Sequence, residues 1–272
     1  MPKIDVRDIR IHYDRAGEGD MTLLFVHGMC GDAENYRDMF DRLSAEFTCI
    51  AYDRRGHSRS EPGTEDQSFR THVDDLAALV DALDLGRPVL VGSSAGGAIS
   101  LELLHRYPDH ARAAVVIEPP LLNLDSNVGK EFRELVGPRI QEAVDRSGQR
   151  AAVDAFFEVV CAQLWEQLNE ERRNRLRDNY PMLFAAIQSE GTTITEAGLA
   201  GIEHPVLVTS GVDSPEFIRT LTTLVASSLP NARFVEFPDC GHVVYAERPE
   251  EFANEVRAFA RKLAPASQAS PA

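Results

Sequence analysis

The chain of 272 residues carries a formal net charge of −15, with 28 Lys and Arg against 43 Asp and Glu; this acidity opposes nucleic-acid phosphates and anionic membranes as partners. That length can bury a full core but lies near the upper size of a single domain, so one domain with a large insertion is predicted. No apolar run reaches membrane-spanning length, the first residues lack an apolar signal core, and Cys30, Cys49, Cys161 and Cys240 show neither a disulfide framework nor metal-ligand spacing, so a cytoplasmic protein is expected.

The predicted elements begin with a period-two alternation over residues 3–15, broken near Asp8, which reads as an antiparallel hairpin at a sheet edge. Residues 22–26 form a continuous apolar run, as in a strand covered on both faces, and end in His27-Gly28-Met29-Cys30-Gly31. A helical stretch over 32–45 leads to a buried strand over 47–52 and the polar loop Asp53-Arg54-Arg55-Gly56-His57-Ser58-Arg59-Ser60. Helical spacing over 68–85, a strand at 88–92, a helix over 94–107 and a strand at 113–117 complete a strict alternation. The predicted fold is therefore a doubly wound, mainly parallel α/β sheet.

The rhythm changes over 119–201, where three or four helical segments carry most of the remaining aromatics; this is read as a helical cap inserted between core segments 1–118 and 202–264. Within it, Arg172-Arg173-Asn174-Arg175-Leu176-Arg177 reads as a solvated helix face rather than an anion site. The sheet resumes at 205–210, a helix follows over 214–228, the last strand runs over 233–237, and an amphipathic helix over 249–263 closes the fold. Residues 265–272 are a small, polar segment expected to be disordered.

Chemistry concentrates at Gly92-Ser93-Ser94-Ala95-Gly96, where a serine sits between a buried strand and a helix with a glycine two residues to either side. This spacing fits a nucleophile elbow, in which small residues let strand and helix pack closely around a strained turn. A serine hydroxyl needs a base, and that base needs a group to hold its tautomer. His242 is the favoured base, because Gly241-His242 follows the last strand on the sheet edge where Ser94 emerges. Two carboxylates qualify as the acid. Glu118 is fixed at a strand tip by Pro119-Pro120, and Asp213 ends the next strand, where it or Ser214 could instead cap the following helix. The backbone N–H groups of Met29 and Ala95 are placed to form an oxyanion hole. His27 is read as structural and all four cysteines as packing residues, although Cys30 and Cys240 flank the expected site.

On His27-Gly28, the Asp53 to His57 motif, Gly92-x-Ser94-x-Gly96, Gly241-His242 and the helical insert, the chain resembles an α/β-hydrolase over nearly its whole length. The resemblance implies a serine nucleophile and, in most of the family, an acid at the third residue after the glycine corresponding to Gly211; Ser214 stands there, with Asp213 one earlier. A smaller branch, which includes the zearalenone lactonases, carries a glutamate after the strand that follows the elbow. Val116-Ile117-Glu118-Pro119-Pro120-Leu121 and Asn179-Tyr180-Pro181 are similar to that branch, so Glu118 is preferred to Asp213. Those lactonases have a tryptophan just after the Asn-Tyr-Pro, where this chain has Met182-Leu183-Phe184, so a resorcylic lactone is not implied.

The resulting expectation is a serine hydrolase that cleaves a small hydrophobic ester or lactone through an acyl-enzyme, without metal or organic cofactor. Trp165, Phe156, Phe157 and Phe184 are its candidate pocket walls. A carbon–carbon bond hydrolase or a perhydrolase on the same fold is the alternative, and a ligand-binding receptor-like protein with little turnover is the alternative of another class. Oligomeric state is left open, with a homodimer as one option.

Overall fold

In the computed structural model, which describes residues 2–263 except Glu190, the apolar runs become the centre of an eight-stranded sheet. Strands β1 (Lys3–Val6) and β2 (Ile9–Ala16) form the edge hairpin, and β2 pairs antiparallel with β4 (Thr48–Tyr52). From β4 onward every pair is parallel: β3 (Thr22–Val26), β5 (Val89–Ser93), β6 (Ala113–Ile117), β7 (Val206–Gly211) and β8 (Ala232–Phe237), in the order β1-β2-β4-β3-β5-β6-β7-β8.

Side chains alternate between two cores, as period-two geometry requires. Leu24, Val26, Leu90, Ala114, Val116 and Val208 meet helices α2 (Phe69–Ala82), α3 (Ala95–Arg106) and, further along the chain, residues 216–228. Leu23, Phe25, Val89, Val91, Val115, Ile117 and Leu207 face the other way, toward α1 (Arg37–Leu43) and the segment 244–260. Coverage on both faces explains why these strands read as continuous apolar runs.

Between β6 and β7 the described residues form six helices rather than the three or four expected: α4 (Ser126–Ser147), α5 (Ala151–Val160), α6 (Ala162–Gln167), α7 (Glu170–Asp178), α8 (Tyr180–Gln188) and α9 (Glu196–Ala200). After β7 the described residues form the α-helices α10 (Glu216–Ser228), α11 (Val244–Glu247) and α12 (Pro249–Leu263). Helix α10 starts two residues later than predicted, and Pro215 at its N-cap makes no side-chain bond; neither Asp213 nor Ser214 caps it. The segment 265–272 lies outside the described residues. Among the described residues no helix is long and apolar enough to cross a membrane.

The insert has its own core, with Val136, Ile140, Val153, Trp165, Leu176 and Leu183 packed together with Cys30 of the sheet domain. Its attachment corrects the reading of the arginine run. Arg172 of α7 grips Asp32 with two hydrogen bonds of 2.6 and 2.7 Å, and both side chains are largely buried. Arg172 also bonds Asn35, Arg175 pairs with Glu34 at 2.6 Å, and Arg177 pairs with Asp154 at 2.7 Å. The run is thus a set of ionic ties, two of them joining the insert to the loop after β3. A surface run and a docking run look alike in sequence, because the partners Asp32 and Glu34 lie far away in the chain.

Candidate active site

Ser94 occupies the single residue between β5 and α3, with φ 52° and ψ −121°. That left-handed, off-well conformation costs on the order of 1–3 kcal/mol and persists because its surroundings hold it. Here the Ser94 N–H donates to the Ile117 carbonyl at 2.8 Å, tying the turn to the end of β6. Ser94 makes no side-chain capping bond to α3, so its hydroxyl is not spent on the helix.

Strand β6 leads directly into a buried carboxylate. Glu118 follows directly, has a positive φ of 45°, and is fully buried. Its Oε1 accepts from the Ser210 hydroxyl at 2.7 Å and the Gly211 N–H at 2.8 Å, and its Oε2 lies 2.6 Å from His242 Nδ1. Burial acts to raise the pKa of this carboxyl, but the His242 ring and the Ser210 hydroxyl outweigh it and hold the group below its usual value. Ser214, where most of the family places its acid, has its hydroxyl close enough to help hold that charge, though without hydrogen-bond geometry.

His242 is buried on the loop between β8 and α11. Glu247, which sequence reasoning did not single out, fixes that loop: its two oxygens accept from the Gly241 N–H at 2.8 Å and the Val243 N–H at 3.2 Å. The alternative acid Asp213 is exposed, and its backbone N–H is tied to the Cys240 carbonyl at 2.8 Å, so the structure brings His242 to Glu118 and leaves Asp213 on the rim. The neighbouring thiols are poor nucleophiles, since burial pushes Cys30 and Cys240 up to about 12.

The loop after β3 supplies the remaining wall. His27 is fully buried and neutral: burial, aided by the nearby Arg54 charge, drives its pKa well down, and its Nε2 accepts from the Arg54 N–H at 2.9 Å while Nδ1 faces the Gly28 carbonyl at 2.8 Å. It therefore shapes the loop, as expected. Asn179 of the insert holds the same loop from the opposite side. Its amide donates to the carbonyls of Cys30 at 2.9 Å and Gly31 at 3.1 Å and accepts from the Ser58 N–H at 2.7 Å.

A cavity of about 330 Å³ opens over Ser94, lined by Gly28, Met29, Ser94 and His242 on the sheet side and by Phe156, Phe157, Leu164 and Trp165 of the insert. Phe157 stacks on Trp165 with centroids 4.7 Å apart. Phe184 is not among the lining residues; it turns instead onto Tyr180 inside the insert's core, because α8 is apolar on more than one face. Four polar residues that the sequence reading did not place at the site also line it: Glu34, Asn35, Tyr245 and Arg172, the last read from sequence as part of a solvated face. A larger cavity of about 590 Å³, lined by Gln67, Phe69, Arg106 and Gln188 among others, holds none of the predicted site residues. Among the described residues no group of three or more His, Cys, Asp or Glu side chains is arranged to hold a metal ion.

Comparison with known proteins agrees with this architecture. The family model described as alpha/beta hydrolase fold matches residues 22–249. The uncharacterised hydrolase YraK of Bacillus subtilis is 37% identical over 123 residues, which are 44% of this chain and 45% of that protein. The 2-(acetamidomethylene)succinate hydrolase of Mesorhizobium japonicum is 30% identical over 156 residues, 57% of this chain and 54% of that protein. The matches thus span about half the length of these two curated relatives. Among solved structures, Est816, described as an N-acyl homoserine lactone degrading enzyme, superposes with a TM-score of 0.79 at 23% identity over 95% of this chain and all of that one, a likeness of fold.

Proposed function

The chain belongs to the alpha/beta hydrolase fold family, and from that premise we propose that it is a serine hydrolase acting on an ester or lactone of a small, largely apolar molecule. The observation that carries the reading is the 2.6 Å contact of the buried Glu118 with Nδ1 of His242, which lines the same cavity as Ser94. A carboxylate on Nδ1 holds the proton there and leaves Nε2 as the base. His242 takes the Ser94 proton as the hydroxyl oxygen attacks the substrate carbonyl, and the N–H groups of Met29 and Ala95 receive the oxyanion. The protonated imidazole then gives its proton to the leaving alcohol. Water, deprotonated by the same imidazole, adds to the acyl carbon and releases the acid and free Ser94.

Each oxyanion donor is worth about 10²–10³ in rate in enzymes of this chemistry. The apolar wall of Phe156, Phe157, Val160, Leu164 and Trp165 supports a hydrophobic substrate, and the names of the relatives, a hydrolase and a lactone-degrading enzyme, support carbonyl hydrolysis. Side-by-side assays of p-nitrophenyl esters, aliphatic lactones and a vinylogous diketone test the reading. Multiple turnovers on an ester or lactone are expected; cleavage of the diketone alone would move the chemistry to carbon–carbon bonds, and stoichiometric binding without turnover would make the protein a receptor.

A further inference from the structure

Arg54 takes no part in the acyl transfer above, yet it is buried to 2% exposure in a setting that suits a cation badly. The other two arginines of its loop have carboxylates: Arg55 pairs with Asp75 and Asp8, each at 2.6 Å, and Arg59 pairs with Asp53 at 2.7 Å. Among the described residues no carboxylate forms an ion pair with Arg54, and its Nε has no acceptor. Its neighbours include the buried histidines His27, His57 and His72, whose pKa values are driven well down by burial first and by the charge of Arg54 next. An unpaired buried charge is strongly unfavourable, and a fold that keeps one keeps it against its own stability.

What Arg54 does touch is the Gly28 carbonyl, to which Nη2 donates at 3.1 Å, and, more distantly, His57 Nε2 at 3.4 Å from the same nitrogen. The same oxygen faces His27 Nδ1 at 2.8 Å and the Gly31 N–H at 3.3 Å. No peptide bond among the described residues is cis, so the N–H of Met29, in the same peptide unit, points away from that oxygen. Gly28 and Met29 both line the cavity with Ser94, and no protein acceptor among the described residues takes the Met29 N–H.

We infer that Arg54 is a positioning residue of the oxyanion hole: by holding the Gly28 carbonyl it fixes the Gly28–Met29 peptide with its N–H toward the reacting carbonyl, and its unpaired charge stands behind that dipole. The charge thereby strengthens, from behind the peptide, the donor that faces the negative charge developing in the transition state, without touching the substrate. This rests on the serine-hydrolase reading.

The test compares wild type, Arg54→Gln and Arg54→Lys on one ester, after the wild-type enzyme has been shown to turn that ester over. If wild type does not turn over any ester, the functional reading fails, and the inference with it. If it does, Arg54→Gln is expected to fold with a Tm at or above that of wild type, to lose about 10–100-fold in kcat with KM within about threefold, and to lose affinity for a trifluoromethyl ketone in step with kcat/KM. Arg54→Lys, which keeps the charge, loses less. A kcat within twofold of wild type overturns the inference, as does a lowered Tm with unchanged preference for the tetrahedral inhibitor over substrate. Should Arg54→Gln not fold, Arg54→Lys decides alone: inhibitor affinity falling in step with kcat/KM supports the role, and any other pattern removes it.

Discussion

Replacing Glu118 by Gln is expected to lower kcat by about 10³–10⁴ while Asp213→Asn keeps most activity, by analogy with loss of a triad carboxylate. The reason lies in the two ends of the carboxylate. Oε1 is held by the Ser210 hydroxyl and the Gly211 N–H, so an amide at this position places its carbonyl oxygen there and turns its NH2 toward His242 Nδ1. Two donors would then face each other, and the imidazole would escape the clash by moving its proton to Nε2, where it can no longer act as a base. Because the amide matches the carboxylate in shape, the loss is expected in kcat rather than in folding. Asp213 is exposed and forms no hydrogen bond with His242, so its amide changes only the rim. Steady-state kinetics of both variants decide the matter, and the reverse pattern would move the acid to the end of β7.

The second large effect falls on the turn itself. A Cβ on Gly96 would lie 1.9 Å from the Val26 carbonyl oxygen and 2.8 Å from that of His27, backbone atoms at the end of β3 that cannot step aside. Gly92 is constrained in the complementary way, since a Cβ there would sit 2.4 Å from the Gly96 carbonyl oxygen. Gly96→Ala must therefore push α3 away from the sheet centre. Its cost is expected to exceed about 4 kcal/mol, the range reached by few single substitutions. Urea unfolding of soluble Gly96→Ala, or its failure to accumulate as soluble protein, checks this; a stability within about 1 kcal/mol of wild type would show that the helix has room that the geometry denies.

These glycines explain why the elbow was readable at all. A turn that packs a helix onto the middle of a sheet leaves no space for side chains at fixed offsets from the serine, so its geometry is written in a short local pattern. Glu118 was readable for a related reason, because Pro119-Pro120 ends β6 just beyond it, and the strand alternation followed from burial on both faces. What escaped the sequence was carried by partners distant in the chain. Arg172 looks like its neighbours until Asp32 is seen beneath it, and Arg54 looks like Arg55 until one is found paired and the other not. The helix count falls short where α5 gives way to α6 at Cys161 without a glycine or proline stop signal, whereas Asn179 and Pro181 do mark the break between α7 and α8. Phe184 was misassigned because a helix apolar on several faces does not announce which one meets a cavity.

The central claim is that Ser94 is a nucleophile activated by His242 and Glu118. Intact-mass and peptide-mapping analysis after exposure to an alkyl fluorophosphonate tests it most directly, since the serine oxygen displaces fluoride and keeps the phosphonyl group. One adduct per chain, located on Ser94, absent from Ser94→Ala and formed far more slowly in Glu118→Gln, is the predicted result. No adduct on the folded protein, or equal labelling of Ser94→Ala, would contradict it.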